Sequence, residues 1–193
     1  MKTFAQATDN QLITAFQSGD AKAMEHLVIR HKNKLFSYIL HLVNDRHLAE
    51  DIFQDCFIKI INTIKDGRYN EEGKFIVWAM RVAHNMCIDY FRKHNKTLFV
   101  ASDEKDKFEA VTEQRSTEAD IFMMQRQSHD SVRKLIDLLP SEQREVIVLR
   151  HFADLSFKEI AEITNCSINT ALGRMRYGLT NLRKMIGERQ LSL

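Results

Sequence analysis

Six side chains between positions 78 and 93 have the types needed to hold nucleic acid. Trp78, Arg81, Asn85, Asp89 and Arg92 recur at steps of three and four residues, with Lys93 next to the last of them and Phe75 and Tyr90 nearby. Aromatic rings stack on unpaired bases and Arg or Lys meets backbone phosphates, so a helix carrying both suits single-stranded DNA. Trp78 has a plainer reading as a core anchor. A second group is acidic: Glu50, Asp51, Gln54 and Asp55 cluster around Ile52, Phe53 and Phe57. Such a run is either a solvated face or a surface for a basic partner.

A third group lies near the C-terminus. Ser156-Phe157-Lys158-Glu159 has capping-box spacing and predicts a short helix with Ile160, Ala161 and Ile163 inward. Thr164-Asn165-Cys166 interrupts it, and Asn is the best non-glycine residue for the left-handed turn that such a break requires. Ser167 then caps a final helix in which Ile168, Leu172, Met175, Leu179, Leu182 and Ile186 predict one continuous inward stripe. The opposite side carries Thr170, Gly173, Tyr177, Asn181 and Lys184, flanked by Asn169, Arg174 and Arg176. Short helix, tight turn and longer helix is the helix-turn-helix plan, whose second helix enters the major groove by its N-terminal end. From Ser167 to Arg189 five bases face one acid, so positive charge is concentrated here although the whole chain carries only +2. The competing reading is an antiparallel helical pair with a solvated basic surface.

Other chemistries find little support. No phosphate-cradling loop or nucleophile beside a base occurs, and the eight histidines show no ligand or catalytic grouping. Cys56, Cys87 and Cys166 are isolated, which reads as small buried hydrophobes in a reducing compartment rather than a zinc or redox site. The expectation is therefore a protein that is not an enzyme, with no cofactor and no metal. The N-terminus turns polar at once and no stretch is long and apolar enough to span a membrane, so the expected location is the cytoplasm.

The elements that must position these groups are helical. One proline and six glycines in 193 residues, with 44% hydrophobic composition, predict an all-α chain with real cores. Thr8 to Gln11 opens a short helix that Gly19 ends, Asp20 caps a longer one, and Asn44-Asp45 marks the turn before a third helix over Arg46 to Lys65. After the polar loop Asp66 to Gly73 a fourth helix runs from Lys74 to about Lys93 through Phe75, Trp78, Val82, Met86 and Ile88. Over Asn95 to His129 seven acids face five bases and apolar periodicity fades, which predicts an acidic linker. A further helix from about Glu118 stops at Leu139, before Pro140. The expected organisation is two small helical domains, 1–94 and 118–193, joined by a linker over 95–117, with the second a helix-turn-helix. Their separation is expected not to be fixed.

Together these residues resemble the extracytoplasmic-function class of sigma factors of bacterial RNA polymerase. Leu48 to Phe57 looks like the family's second region, which implies that Glu50, Asp51, Gln54 and Asp55 dock on the clamp helices of the largest subunit of core RNA polymerase. Lys74 to Lys93 resembles the adjoining segment that binds and opens the promoter −10 element. The resemblance implies single-stranded DNA contacts for Trp78, Arg81, Asn85, Asp89, Arg92 and Lys93, and a flipped-base position in the loop from Arg68 to Gly73, Arg68 and Asn70 included. Leu138 to Lys184 resembles the fourth region, which reads the −35 element as duplex DNA, here through Ser167, Asn169, Thr170, Gly173, Arg174, Arg176 and Tyr177. The chain departs from the family pattern at Leu172, Gly173 and Tyr177, so promoter sequence does not carry over. An anti-sigma protein, where one exists, would occlude the same surfaces. The alternative is a stand-alone helix-turn-helix regulator with a sensor or dimerisation domain in front.

Overall fold

Helix starts along the chain are set by short polar side chains that accept backbone N–H groups left without an intrahelical partner. The computed structural model describes residues 4–70, 74–100, 132 and 134–188. A single 3-10 turn, Phe4–Gln6, precedes α1, Asp9–Gln17. Thr8 Oγ1 accepts from Gln11 N at 3.3 Å while Thr8 N donates to Gln11 Oε1 at 2.9 Å, the reciprocal box expected from the sequence. Asp20 caps α2, Ala21–Val43, which ends where Asn44 turns left-handed at φ +53°. Asp45 accepts from Leu48 N at 2.9 Å and starts α3, Arg46–Lys65, so neighbouring residues stop one helix and begin the next. α4 is Phe75–Val100, longer than expected at its C-terminal end.

These four helices enclose Leu12, Leu27, Leu35, Ile39, Ile60, Ile64, Phe75 and Met80, all fully buried. Each such side chain contributes about 1.5–3 kcal/mol by leaving water. Ile88, expected inside, is 38% exposed. Cys87 takes the inward position one residue earlier, and ~100° of helical rotation carries the next side chain outward.

The second half begins with a helical turn over 134–137, followed by α5, Ser141–His151, α6, Phe157–Ile163, and α7, Ile168–Glu188. The expected helix from about Glu118 to Leu139 lies mostly outside the described residues, as does most of the linker. Leu135, Leu139, Val146, Leu149, Ile160, Ile163 and Ala171 form the apolar centre. The expected inward stripe of α7 is only partly inward: Leu182 is buried, but Ile168, Leu172 and Leu179 are 46%, 43% and 37% exposed. The small residues Ala171 and Gly178 face inward instead. A Cβ placed on Gly178 would stand 2.7 Å from Ile147 Cδ1 and 3.3 Å from Gln143 Cβ, so α7 seats its backbone against α5 where side chains are smallest. Close approach turns the larger apolar residues onto the flank.

In this structure the halves are in contact. α5 packs on α2, and α6 on α4. The reason is chemical as well as apolar: Tyr38 on α2 is fully buried and its O–H donates to Glu145 of α5 at 2.7 Å. A buried hydroxyl without an acceptor would cost about 1–3 kcal/mol.

Overpacking at Gly178 is testable by thermal or urea unfolding. Gly178→Ala is expected to destabilise the chain by about 1–3 kcal/mol despite the better helix propensity of Ala. Gly173→Ala, where an added Cβ meets nothing within 4 Å, is expected to stabilise by up to ~1 kcal/mol.

Candidate protein and nucleic-acid interfaces

The acidic group projects from α3 because the opposite side of that helix is committed to the core. Ala49, Ile52, Cys56, Phe57, Ile60 and Ile64 are buried, which leaves Asp51, Gln54 and Asp55 exposed and Glu50 half-buried. Glu50 Oε1 accepts from Arg46 Nε at 3.0 Å. Asp51 and Asp55, one turn apart, enter no ion pair among the described residues. Like charges at this spacing oppose the helix by a few tenths of a kcal/mol, about 0.2–0.5. Beneath them Phe53 meets Phe57 at 4.9 Å and Phe36 at 5.5 Å, edge to face, so the ridge stands on a stiff aromatic support.

The predicted single-strand face lies along the outer side of α4. Arg81, Asn85, Asp89, Arg92 and Lys93 are exposed. Arg92 pairs with Asp89 at 3.5 Å, whereas Arg81 Nη2 reaches Glu162 Oε2 of α6 at 3.5 Å. Trp78 packs against the core and is only half-buried, its ring 4.5 Å from Tyr69 and 6.0 Å from Phe75. Tyr69 was missed in the sequence. It is 8% exposed and supports Trp78 from a loop that Gly67, at φ +67°, turns back toward α4. Its neighbours Arg68 and Asn70 are exposed, and Arg68 donates to Asp66. Glu71, Glu72 and Gly73 lie outside the described residues.

In the C-terminal motif Ser156 Oγ accepts from Glu159 N at 3.3 Å, Ser156 N donates to Glu159 Oε2 at 2.8 Å, and α6 ends at Thr164. Asn165 takes the left-handed conformation at φ +51°, as its residue type predicts, and Cys166 N donates to Ala161 O at 3.0 Å. Ser167 Oγ then accepts from Thr170 N at 3.0 Å and starts α7. Asn169, Thr170, Arg176 and Tyr177 share an exposed side with half-buried Gly173 between them. Arg174 is half-buried on the flank nearer the packed side. Asn181 does not belong to the outer face: its Nδ2 donates to Gln143 Oε1 at 2.9 Å and ties α7 to α5.

Charged groups elsewhere are structural. The histidines that touch carboxylates act in packing, His31 with Asp9 at 2.9 Å, His41 with Asp137 at 3.0 Å and His84 with Glu145 at 2.7 Å. Burial pushes the Cys56 and Cys87 thiols up to about 12, so both stay protonated, and Cys166 is half-buried. Burial and the neighbouring Glu145 together push the Tyr38 phenol well above its usual range. Among the described residues no group of three or more His, Cys, Asp or Glu is placed to hold a metal ion, and no helix is long and apolar enough to cross a membrane.

An all-helical body with an acidic ridge, an aromatic and basic helical face and a helix-turn-helix defines a nucleic-acid-binding protein class. Residues 27–97 match sigma-70 region 2 and residues 129–175 match sigma-70 region 4. RNA polymerase sigma-H factor of Pseudomonas aeruginosa is 26% identical over 174 residues, covering 88% of this chain and 89% of the relative. The extracytoplasmic-function sigma factor SigW of Bacillus subtilis is 29% identical over 179 residues, covering 90% and 94%, and sigma-E of Escherichia coli is 29% identical over 176 residues, covering 88% and 90%. Among solved structures, the sigma factor RpoE with the anti-sigma factor NepR from Bartonella quintana shares the fold at TM-score 0.69 and 18% identity, over 86% of this chain and 98% of that one. CnrH in complex with the cytosolic domain of CnrY shares it at TM-score 0.65 and 21% identity, over 93% and 97%. The chain belongs to the sigma-70 family, in its extracytoplasmic-function class. It is a sigma factor, and its partners are core RNA polymerase and promoter DNA.

Glu159 gives this site a pH dependence. Hydrogen bonds from Ser156 hold its carboxyl below the ordinary value of 4.5, with burial opposing and Lys74 assisting. A depressed carboxyl contributes stability that is present above its ordinary value and lost as pH falls through the folded one. Acid unfolding followed by circular dichroism is expected to be steeper below pH 4.5 for the wild type than for Glu159→Gln, which keeps a cap acceptor without the charge.

Proposed function

We propose that this sigma factor docks on the clamp helices of the largest polymerase subunit through Asp51 and Asp55, with Glu50 and Gln54 beside them. It opens and holds the −10 element along Trp78, Arg81, Asn85, Asp89, Arg92 and Lys93 with Arg68 and Asn70. It reads the −35 duplex through Asn169, Thr170, Arg176 and Tyr177, with Ser167 setting the helix start, Gly173 leaving room for close approach and Arg174 on the flank. The units 1–94 and 118–193 divide these tasks, and the segment 95–117 spans between them on the polymerase. The chain catalyses no reaction itself, works in the cytoplasm, and would be inhibited by an anti-sigma protein covering these surfaces.

The observation that carries this reading is the acidic ridge on α3. Two carboxylates at like-charge spacing, with no cation paired to them among the described residues, contribute nothing to folding and are explained by a basic partner. Each DNA-reading unit is small, and polymerase would fix their separation so that the second contact becomes effectively intramolecular.

Run-off transcription from a cognate promoter with purified core polymerase is expected to require this chain. Asp51→Lys with Asp55→Lys is expected to abolish co-purification with core while circular dichroism stays unchanged; full retention would overturn the docking assignment. Duplex binding at full strength without polymerase would instead identify a stand-alone regulator.

Loss of a good base contact costs about 1–3 kcal/mol. Asn169→Ala and Arg176→Ala are expected to weaken −35-dependent transcription with core binding intact, and to do so more than Arg174→Ala. Footprints unchanged in all three would remove α7 as the reading helix.

A further inference from the structure

Leu172, expected inside, is turned out by the seating of α7 on α5. It is 43% exposed and stands ~100° of helical rotation from its fully buried neighbour Ala171. Ile168 and Leu179, also exposed on this flank, lie three positions before buried Ala171 and Leu182, only ~60° from the packed side. Leu172 is therefore the most outward of the three. It follows exposed Asn169 by three residues and precedes exposed Arg176 by four, so Asn169, Leu172 and Arg176 form one ridge on the N-terminal half of α7. Beside it Gly173 has no side chain, and a Cβ added there would meet nothing within 4 Å, so the approach to Leu172 from outside is clear.

Folding leaves this leucine half in water, and the charge around it says what covers it. From Ser167 to Arg189 five bases face one acid, and the partner of the chain is promoter DNA. In the major groove the apolar group that base pairs present is the C5-methyl of thymine, whereas Asn suits the N6 and N7 edge of adenine and Arg the O6 and N7 edge of guanine. An apolar side chain between Asn169 and Arg176 thus has a defined counterpart in DNA. Three residues of helix advance ~4.5 Å along its axis and one base step ~3.4 Å, so Leu172 falls at or next to the base pair that Asn169 meets.

We propose that Leu172 is a specificity-determining residue for the −35 element, packing its side chain on the C5-methyl of a thymine at or next to the base pair that Asn169 contacts. The proposal rests on α7 being the helix that reads the −35 duplex, and it assigns that helix a thymine preference carried by apolar contact. Such a contact has a distinct physical signature. It removes a methyl group from water and neutralises no phosphate, so its contribution stays constant as salt rises, while binding as a whole weakens through the basic residues. Thr170 is the poorer candidate for the same role, because its Oγ1 is engaged with Ser167 Oγ at 2.8 Å in the cap that starts α7.

Holoenzyme assembled from the full chain and core polymerase is first used to select its preferred duplex from a pool randomised across the −35 region. Each thymine of the selected −35 sequence, on either strand, is then replaced singly by deoxyuridine, which lacks only the C5-methyl. Wild-type holoenzyme is expected to bind the all-thymine duplex about fourfold more tightly than the duplex altered at one particular position, the effect of burying one methyl group, with that ratio unchanged as salt is raised. Leu172→Ala holoenzyme is expected to bind the two duplexes equally and to select no thymine at that position. Leu172→Met, apolar and of similar volume, is expected to keep the preference. Equal binding of every deoxyuridine duplex by the wild type would overturn the proposal. So would a Leu172→Ala variant that keeps the fourfold ratio, or one that weakens on both duplexes alike with the ratio intact, the outcome for a leucine covered by a protein partner. Failure of the underlying reading looks different: Asn169→Ala and Arg176→Ala, as well as Leu172→Ala, would then select the same −35 sequence as the wild type.

Discussion

Tyr38 has a hydroxyl that no water reaches, and the way it finds an acceptor determines how the molecule is put together. The side chain is fully buried on α2, in a position that hydrophobic periodicity assigns to the core, yet its O–H is satisfied by Glu145 from a helix more than a hundred residues away. Glu145 is in turn held by His84 of α4. Three helices from both halves meet at one carboxylate, with His84 Nδ1 also 3.0 Å from the Tyr38 hydroxyl, so the three groups form one closed polar cluster. Apolar surface drives the halves together, but this network sets where they stop. It fixes α5 on α2 and thereby places α6 against the N-terminal end of α4.

Around that fixed point the molecule separates two kinds of surface. Asp51 and Asp55 on α3, without an ion pair among the described residues, and the outer side of α7 carry charge or polarity that folding does not use. Surfaces that do have internal partners, the flank of α4 above all, have their charge answered by the other half of the same chain.

The exposed apolar flank of α7 follows from the same packing logic. Ala171 and Gly178 allow the helix backbone to come close to α5, and the dense packing of that seam outweighs the burial that Ile168, Leu172 and Leu179 would achieve by turning inward. Helical periodicity weighs apolar residues by size; it does not register that the smallest residues of a helix can make its closest approach.

Local structure was legible because it depends on neighbours in the chain. The boxes at Thr8 and Ser156, the caps at Asp20 and Asp45, the left-handed turns at Asn44 and Asn165 and the limits of α3 follow from side chains within a few residues of the backbone groups they satisfy. The all-helical class, the inward face of α3 and hence the outward acidic ridge follow from the same short-range rules. What only the tertiary structure decided involves partners far apart in sequence. No local rule says that Glu145 and His84 answer the hydroxyl of Tyr38; Trp78 was readable, but not that Tyr69 supports it; Gly173 drew attention on its helix, but Gly178 is the glycine that packing requires. The docking of the halves and the pairing of Lys74 and Arg81 with Glu159 and Glu162 belong to this second group. A sequence sets the angle at which each residue leaves its own helix, while the residue it meets is settled only when all the helices have reached their closest approach.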